Sequence, residues 1–168
     1  MDYKVIDNFL PENEFAELYN LIVFSANFPM YPSDTITYSE DKECDWRWYA
    51  NHVLYNNNVP YSDYFTNVYN TFIPKFHEIV GVKSLIRIKV NMYPHTDVLR
   101  ENEKHVDYKF PHHAAVFSLN TCDGFTRMED GSKVDSVKNR IVFFDGSLLH
   151  NSATATNKAR YNINFNWL

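Results

Sequence analysis

The chain has 168 residues, 45% of them hydrophobic, which suits one domain with its own core and is too short to favour two. Its formal net charge of -5, from 16 Lys+Arg against 21 Asp+Glu, lacks the basic field that draws proteins to phosphate backbones, so nucleic acid is disfavoured as a partner. Cys44 and Cys122 show no Cys-x-x-Cys spacing, "MDYKVIDNFL" has no basic segment leading into an apolar one, and no apolar run reaches membrane-spanning length. A reduced, cytoplasmic setting is expected, with no membrane partner and both thiols packed.

In chain order, "DYKVIDNFL" reads as a short strand that ends at Pro11. "PENEFAELYNLIVFSA" then places Phe15, Leu18, Leu21 and Ile22 at helical spacing, with Pro11 near the start. From Phe28 to Pro60 the pattern weakens, and although "WRWYANHVLY" reads as an irregular strand, the segment as a whole is expected to be a mobile insert. "SDYFTNVYNTFIPKFHEIV" opens on Ser62 as an N-cap and carries Phe65, Val68, Tyr69, Phe72, Phe76 and Ile79 on one face, with Pro74 expected to kink or split it. After Gly81 the period becomes two. In "SLIRIKVNMY", Ile86, Ile88, Val90 and Met92 face one way, towards helices, and Arg87, Lys89, Asn91 and Tyr93 face the other, polar side. "HHAAVFSLN", "KVDSV", "NRIVFFDG" and "RYNINFNWL" are further strands, separated by Asp-Gly turns. Helices followed by a run of strands predict an α+β domain around a β-sandwich or small barrel.

"KHVDYKF" contains His105 and Asp107, which on a strand project to the same face and offer an imidazole and a carboxylate to one ion. The pair alone is also what chance gives in a chain with 7 His and many Asp. His150 follows the apolar "NRIVFFDGSLL", where a lone histidine is often structural. Together the three residues would form the two-histidine, one-carboxylate donor set of non-haem Fe(II) oxygenases. In "RYNINFNW", Arg160, Asn162, Asn164 and Asn166 alternate with Tyr161, Ile163, Phe165 and Trp167. An arginine heading the polar face of such a strand carries a desolvation cost that an anionic ligand would offset.

The order His105-x-Asp107, His150, Arg160, Asn162 resembles the Fe(II)- and 2-oxoglutarate-dependent dioxygenases. "YPHTDVLRENEKHVD", "RIVFFDGSLLHNS" and "ARYNINFNW" look like the prolyl hydroxylase branch, with a resemblance running from about Leu85 to Trp167. The resemblance implies a double-stranded β-helix, a jelly-roll or cupin-like barrel, in one domain, with helical support over roughly residues 1–81 and a barrel core over 82–168. It implies Fe(II) on His105, Asp107 and His150 and the distal carboxylate of 2-oxoglutarate on Arg160, with Tyr93 and Asn162 close to that co-substrate. The implied reaction consumes O2, hydroxylates an unactivated C–H bond and releases succinate and CO2, with ascorbate as a reductant for the iron. A prolyl residue of a protein or peptide is the leading substrate, and a free amino acid or small metabolite is the alternative.

This sequence departs from the family pattern in having Asp123-Gly124 where paired glycines are common and a charged loop from Pro94 to Lys104. The orientation of Thr126 towards the co-substrate is left open. The aromatic residues of the insert, Tyr31, Tyr38, Trp46, Trp48 and Tyr49, are candidates for a substrate lid. His112 and His113 are adjacent and not assigned to iron, and His52, His77 and His95 are expected to be structural. Three rival readings use the same residues. A cupin-like metal-binding module would not need Arg160, a nucleic-acid demethylase would need a basic groove, and a zinc hydrolase would retain activity with zinc.

Overall fold

Residues 3–34 and 47–168 are described by the computed structural model. The elements are β1 (Tyr3–Ile6), α1 (Glu12–Tyr19) continuing as a π-helical turn (Asn20–Phe24), β2 (Tyr31–Ser33), β3 (Tyr49–Asn56), β4 (Val59–Pro60) and α2 (Phe65–Ile79). They continue with β5 (Leu85–Tyr93), β6 (His113–Ser118), β7 (Phe125–Arg127), β8 (Lys133–Asp135), β9 (Arg140–Asp145), β10 (Asn151–Ser152) and β11 (Arg160–Trp167). An eight-stranded antiparallel sheet runs β1-β9-β6-β11-β5-β3-β2, with β4 paired to β3, and a three-stranded sheet runs β10-β7-β8. β11 and β5 lie side by side in the large sheet, Arg160 opposite Tyr93 and Asn162 opposite Asn91.

Period-two alternation explains why the large sheet has two unlike faces. On one face Ile88, Val90, Phe117, Phe143, Ile163, Phe165 and Trp167 pack with Phe15 and Leu18 of α1 and Val68, Phe72 and Phe76 of α2. Phe76 is the hub, its ring centroid 5.0 Å from Phe143, 5.0 Å from Phe165 and 5.3 Å from Trp167. Each such buried ring contributes roughly 1.5–3 kcal/mol of transfer free energy. On the other face a smaller cluster of Ala114, Val116, Val142 and Phe144 meets Val134 of the small sheet and Met128, just after β7. Beside it, the polar residues of β5 and β11 line an open cleft.

The helices pack on the large sheet as expected, but the division at residue 81 is not structural, because β1, β2, β3 and β4 all join that sheet. The expectation of a mobile insert from Phe28 to Pro60 is corrected for its described part, residues 35–46 lying outside the described residues. β3 hydrogen-bonds along β5, and Tyr49, Ala50, His52 and Leu54 are buried. Tyr38, Trp46 and Cys44 lie outside the described residues. Ser62 does not cap α2; its hydroxyl accepts from the Tyr64 N–H in a turn just before the helix. Pro74 does not split α2, which runs unbroken to Ile79. Pro74 and Asn70 both sit on the solvent side, where water can satisfy the carbonyl that the proline leaves unbonded.

Candidate metal centre and anion pocket

His105 and His150 are brought together by backbone, not by a shared strand. The two residues form an isolated antiparallel bridge, with His105 N–H donating to the His150 carbonyl at 2.9 Å and His150 N–H returning to His105 at 3.0 Å. Asp107 lies in a bend outside the named strands, its N–H donating to the Gly146 carbonyl at 3.3 Å. The expectation that the His-x-Asp pair projects from a strand is therefore corrected, while the convergence it was meant to explain is present. One ligand atom from each of His105, Asp107 and His150 lies within 4.8 Å of the others.

The imidazoles are oriented as ligands. His150 Nδ1 is 2.9 Å from the Leu148 carbonyl and His105 Nδ1 is 3.4 Å from the Glu103 carbonyl, so each Nδ1 carries the proton and each Nε2 lone pair is left for an ion. Burial, then the neighbouring His150, lowers the pKa of His105 and favours the neutral, ligating form. Burial alone would raise the Asp107 carboxyl pKa, but the Arg87 guanidinium and then His150 and Asn166 hold it well below the usual carboxylate range. Arg87 Nη2 donates to Asp107 Oδ1 at 2.7 Å, and Asn166 Nδ2 donates to Oδ2 at 2.7 Å. Asn164 accepts from Arg87 at 3.2 Å and donates to Asp107 at 3.4 Å. A carboxylate has about four lone-pair sites, so these three donors fix its plane and still leave a site for a metal. Two imidazoles and one ionised carboxylate fit iron of the facial-triad type.

Arg160 is 1% exposed at the other end of the cleft. Its Nε donates to Ser136 Oγ at 2.6 Å, Nη2 to Thr126 Oγ1 at 2.8 Å and Nη1 to the Ala153 carbonyl at 3.3 Å. Among the described residues no carboxylate forms an ion pair with it. A fully buried cation held only by neutral oxygens is the condition that a bound anion relieves. Gly124 makes room for it, since a Cβ there would stand 2.8 Å from the Thr154 carbonyl and 3.0 Å from Arg160 Cδ. Thr126, left open by the sequence, thus faces the arginine.

Tyr93 and Asn162 line the same cleft as the triad and Arg160. The Arg160 guanidinium lies 5.7 Å from the centre of the Tyr93 ring, which stacks on Tyr49. Burial pushes the Tyr93 phenol upward, keeping it a neutral donor. Asn162 accepts from Asn91 at 3.0 Å. His112 and His113 do not line this cleft: His112 packs against Gly146 and His113 stacks on Trp167. His52 is buried among Phe28, Tyr31 and Tyr64, in the structural role expected of it. The sequence set Arg87, Lys89, Asn164 and Asn166 on the polar faces of their strands and Tyr49 among the candidate substrate contacts, but it did not pair Arg87, Asn164 and Asn166 with Asp107, and it did not single out Ser136 beside Arg160. The one available signal was a pair of basic residues on the inner face of β5 in an acidic chain.

No protein-family model matches the sequence. No curated protein matches it either. Solved structures do. The chain superposes on a prolyl 4-hydroxylase of Pseudomonas putida with a TM-score of 0.69 at 15% identity, covering 99% of this chain and 92% of that one. A viral collagen prolyl hydroxylase from Paramecium Bursaria Chlorella virus-1, solved as its 2-oxoglutarate complex, gives a TM-score of 0.64 at 14% identity over 99% of this chain and 95% of the other. The epimerase SnoN, in complex with Fe3+, α-ketoglutarate and nogalamycin RO, gives 0.67 at 12% identity over 99% and 79%. At such identities likeness speaks for architecture alone. The chain has the double-stranded β-helix fold shared by prolyl hydroxylases and other 2-oxoglutarate/iron oxygenases.

Proposed function

We propose that the protein is an Fe(II)- and 2-oxoglutarate-dependent oxygenase that hydroxylates an unactivated C–H bond. The observation that carries this reading is the placement of one buried guanidinium, bonded only to neutral oxygens, in the same cleft as a two-histidine, one-carboxylate cluster. A cupin-like metal-binding module has no need of that second feature. His105, Asp107 and His150 would hold the iron, and Arg160 would take the distal carboxylate of 2-oxoglutarate. Iron, 2-oxoglutarate and O2 together supply the oxidising power for hydroxylation, with succinate and CO2 as co-products.

The chain's own groups position these partners. Arg87, Asn164 and Asn166 set the orientation of the Asp107 carboxylate. Ser136 and Thr126 fix the plane of the Arg160 guanidinium, and Tyr93 walls the pocket beside it. The likeness to prolyl hydroxylases supports a prolyl ring, in a peptide or protein, as the target. A second reading, a free amino acid or small acid, is favoured by another basic side chain in the cleft, Lys89.

Visible absorption of the anaerobic Fe(II) protein during a 2-oxoglutarate titration tests the chemistry without knowledge of the substrate. A weak charge-transfer band is expected, abolished in Asp107→Ala and requiring a much higher 2-oxoglutarate concentration in Arg160→Ala. A folded, iron-loaded protein without the band would overturn the assignment and bring the binding-module or hydrolase reading forward.

A further inference from the structure

We propose that Lys89 is the substrate-recognition cation of this cleft and that the primary substrate is a small molecule presenting a free carboxylate to it. The proposal rests on the oxygenase reading and decides between its two substrate classes in favour of a free amino acid or other small carboxylic acid.

The argument starts from the charges that line the cleft. Arg87, Lys89 and Arg160 face a single carboxylate, Asp107. Arg87 is committed to Asp107 through its 2.7 Å ion pair. Arg160, at the far end, is assigned to the distal carboxylate of 2-oxoglutarate. When that co-substrate reaches from Arg160 to the iron, both of its carboxylates are used. Lys89 remains, and among the described residues no carboxylate forms an ion pair with it. Its ammonium lies 5.4 Å from the centre of the Tyr49 ring.

The position of Lys89 suits a substrate rather than a second grip on the co-substrate. Arg87, Lys89, Asn91 and Tyr93 share one face of β5, with a rise of about 3.3 Å per residue. Lys89 is therefore about 7 Å along the strand from Arg87, the residue that holds a metal ligand. It is about 13 Å from Tyr93, which marks the Arg160 end. An ammonium next to the metal end of the cleft, away from the anion pocket, can hold an acid group while another carbon of the same small molecule faces the iron. A prolyl residue inside a chain has its carboxyl tied up in a peptide bond and offers this lysine only a neutral carbonyl. Lys89 is half-buried in the cleft wall, and partial desolvation of an ammonium has a cost that a methionine of similar length would avoid, so the charge is best understood as serving a ligand.

The test uses calorimetric titration of the intact protein carrying Fe(II) and 2-oxoglutarate, under anaerobic conditions. The probes are matched acids and amides: acetate and acetamide, propionate and propionamide, L-proline and L-prolinamide. A prolyl tripeptide blocked at both ends is included. At least one acid is expected to bind about 10-fold or more tightly than its amide, the scale of a charge-assisted hydrogen bond. In Lys89→Met that preference should collapse to within about twofold, while the 2-oxoglutarate titration midpoint moves by less than about twofold. Three results would each overturn the proposal: no acid preference in the wild type, a preference that survives Lys89→Met, or a blocked peptide that outbinds every acid. A tenfold loss of 2-oxoglutarate affinity in Lys89→Met would also overturn it, by making Lys89 part of the co-substrate site. Failure of the oxygenase reading is a separate result, seen as absence of the charge-transfer band in the wild type.

Discussion

β11 presents two chemistries from one backbone. Ile163, Phe165 and Trp167 look towards the helices and Arg160, Asn162, Asn164 and Asn166 towards the cleft, and both sets are buried. The first set is stabilised chiefly by apolar packing, with a polar tie from Trp167 Nε1–H to the Gly81 carbonyl at 2.9 Å, and would serve in any sheet-on-helix layer. The second must be satisfied group by group, and it is satisfied largely by other site residues: Asn162 by Asn91, Asn164 and Asn166 by Asp107 and Arg87. Equal burial therefore does not mean equal purpose. The apolar face sets the strand in place, and the polar face uses that rigidity to hold a carboxylate and a guanidinium in position.

Substitutions on the two faces should separate stability from ligand binding. Phe165→Ala is expected to cost about 3–5 kcal/mol in urea unfolding, since it opens a void among Phe72, Phe76 and Trp167, with metal affinity nearly unchanged in the folded fraction. Asn166→Ala should lower metal affinity by about 10–100-fold in a chelator competition, with a stability loss near 1 kcal/mol. If Asn166→Ala instead unfolded the protein as Phe165→Ala does, the division between the faces would be wrong.

The polar face should also contain at least one residue whose removal helps folding. Lys89→Met is expected to raise the stability of the metal-free protein by roughly 1 kcal/mol at neutral pH, as replacement of a partly desolvated charge often does. A smaller, pH-resolved effect follows from the same group. Burial, and secondarily Arg87, lowers the Lys89 pKa from 10.5 to about 8, so the folded state disfavours its charged form. Below pH 8 the full penalty applies; between about 8 and 10.5 the folded state releases the proton first and stability rises with pH; above that range the penalty is gone. The stability difference between wild type and Lys89→Met should shrink across that window, and a difference independent of pH would show that the ammonium is well solvated.

The same contrast explains what was legible in the sequence. The apolar face was readable because alternation is local: Ile88, Val90, Phe165 and Trp167 announce their side by their neighbours. The triad and Arg160 were readable because their types and order are unusual together. Their partners were not, because the pairing of Arg87 with Asp107 or Ser136 with Arg160 spans 20 and 24 residues and exists only once the sheet is assembled. β3 was underestimated because prolines and polar residues surround it, although its pairing with β5 makes it part of the large sheet. β8 was legible in "KVDSV", whereas β7 and β10, with three and two residues, carry too little periodicity to be seen.

The backbone bridge between His105 and His150 has a consequence for how the ion arrives. Both rings are anchored by the chain itself, each through its own peptide group and through a carbonyl at Nδ1. Loading the site therefore requires little loss of conformational freedom from the chain, and unloading it should release little. Amide hydrogen exchange at His105 and His150 is then expected to be slow in the chelated protein as well as the loaded one, and iron to exchange with solution without the barrel opening.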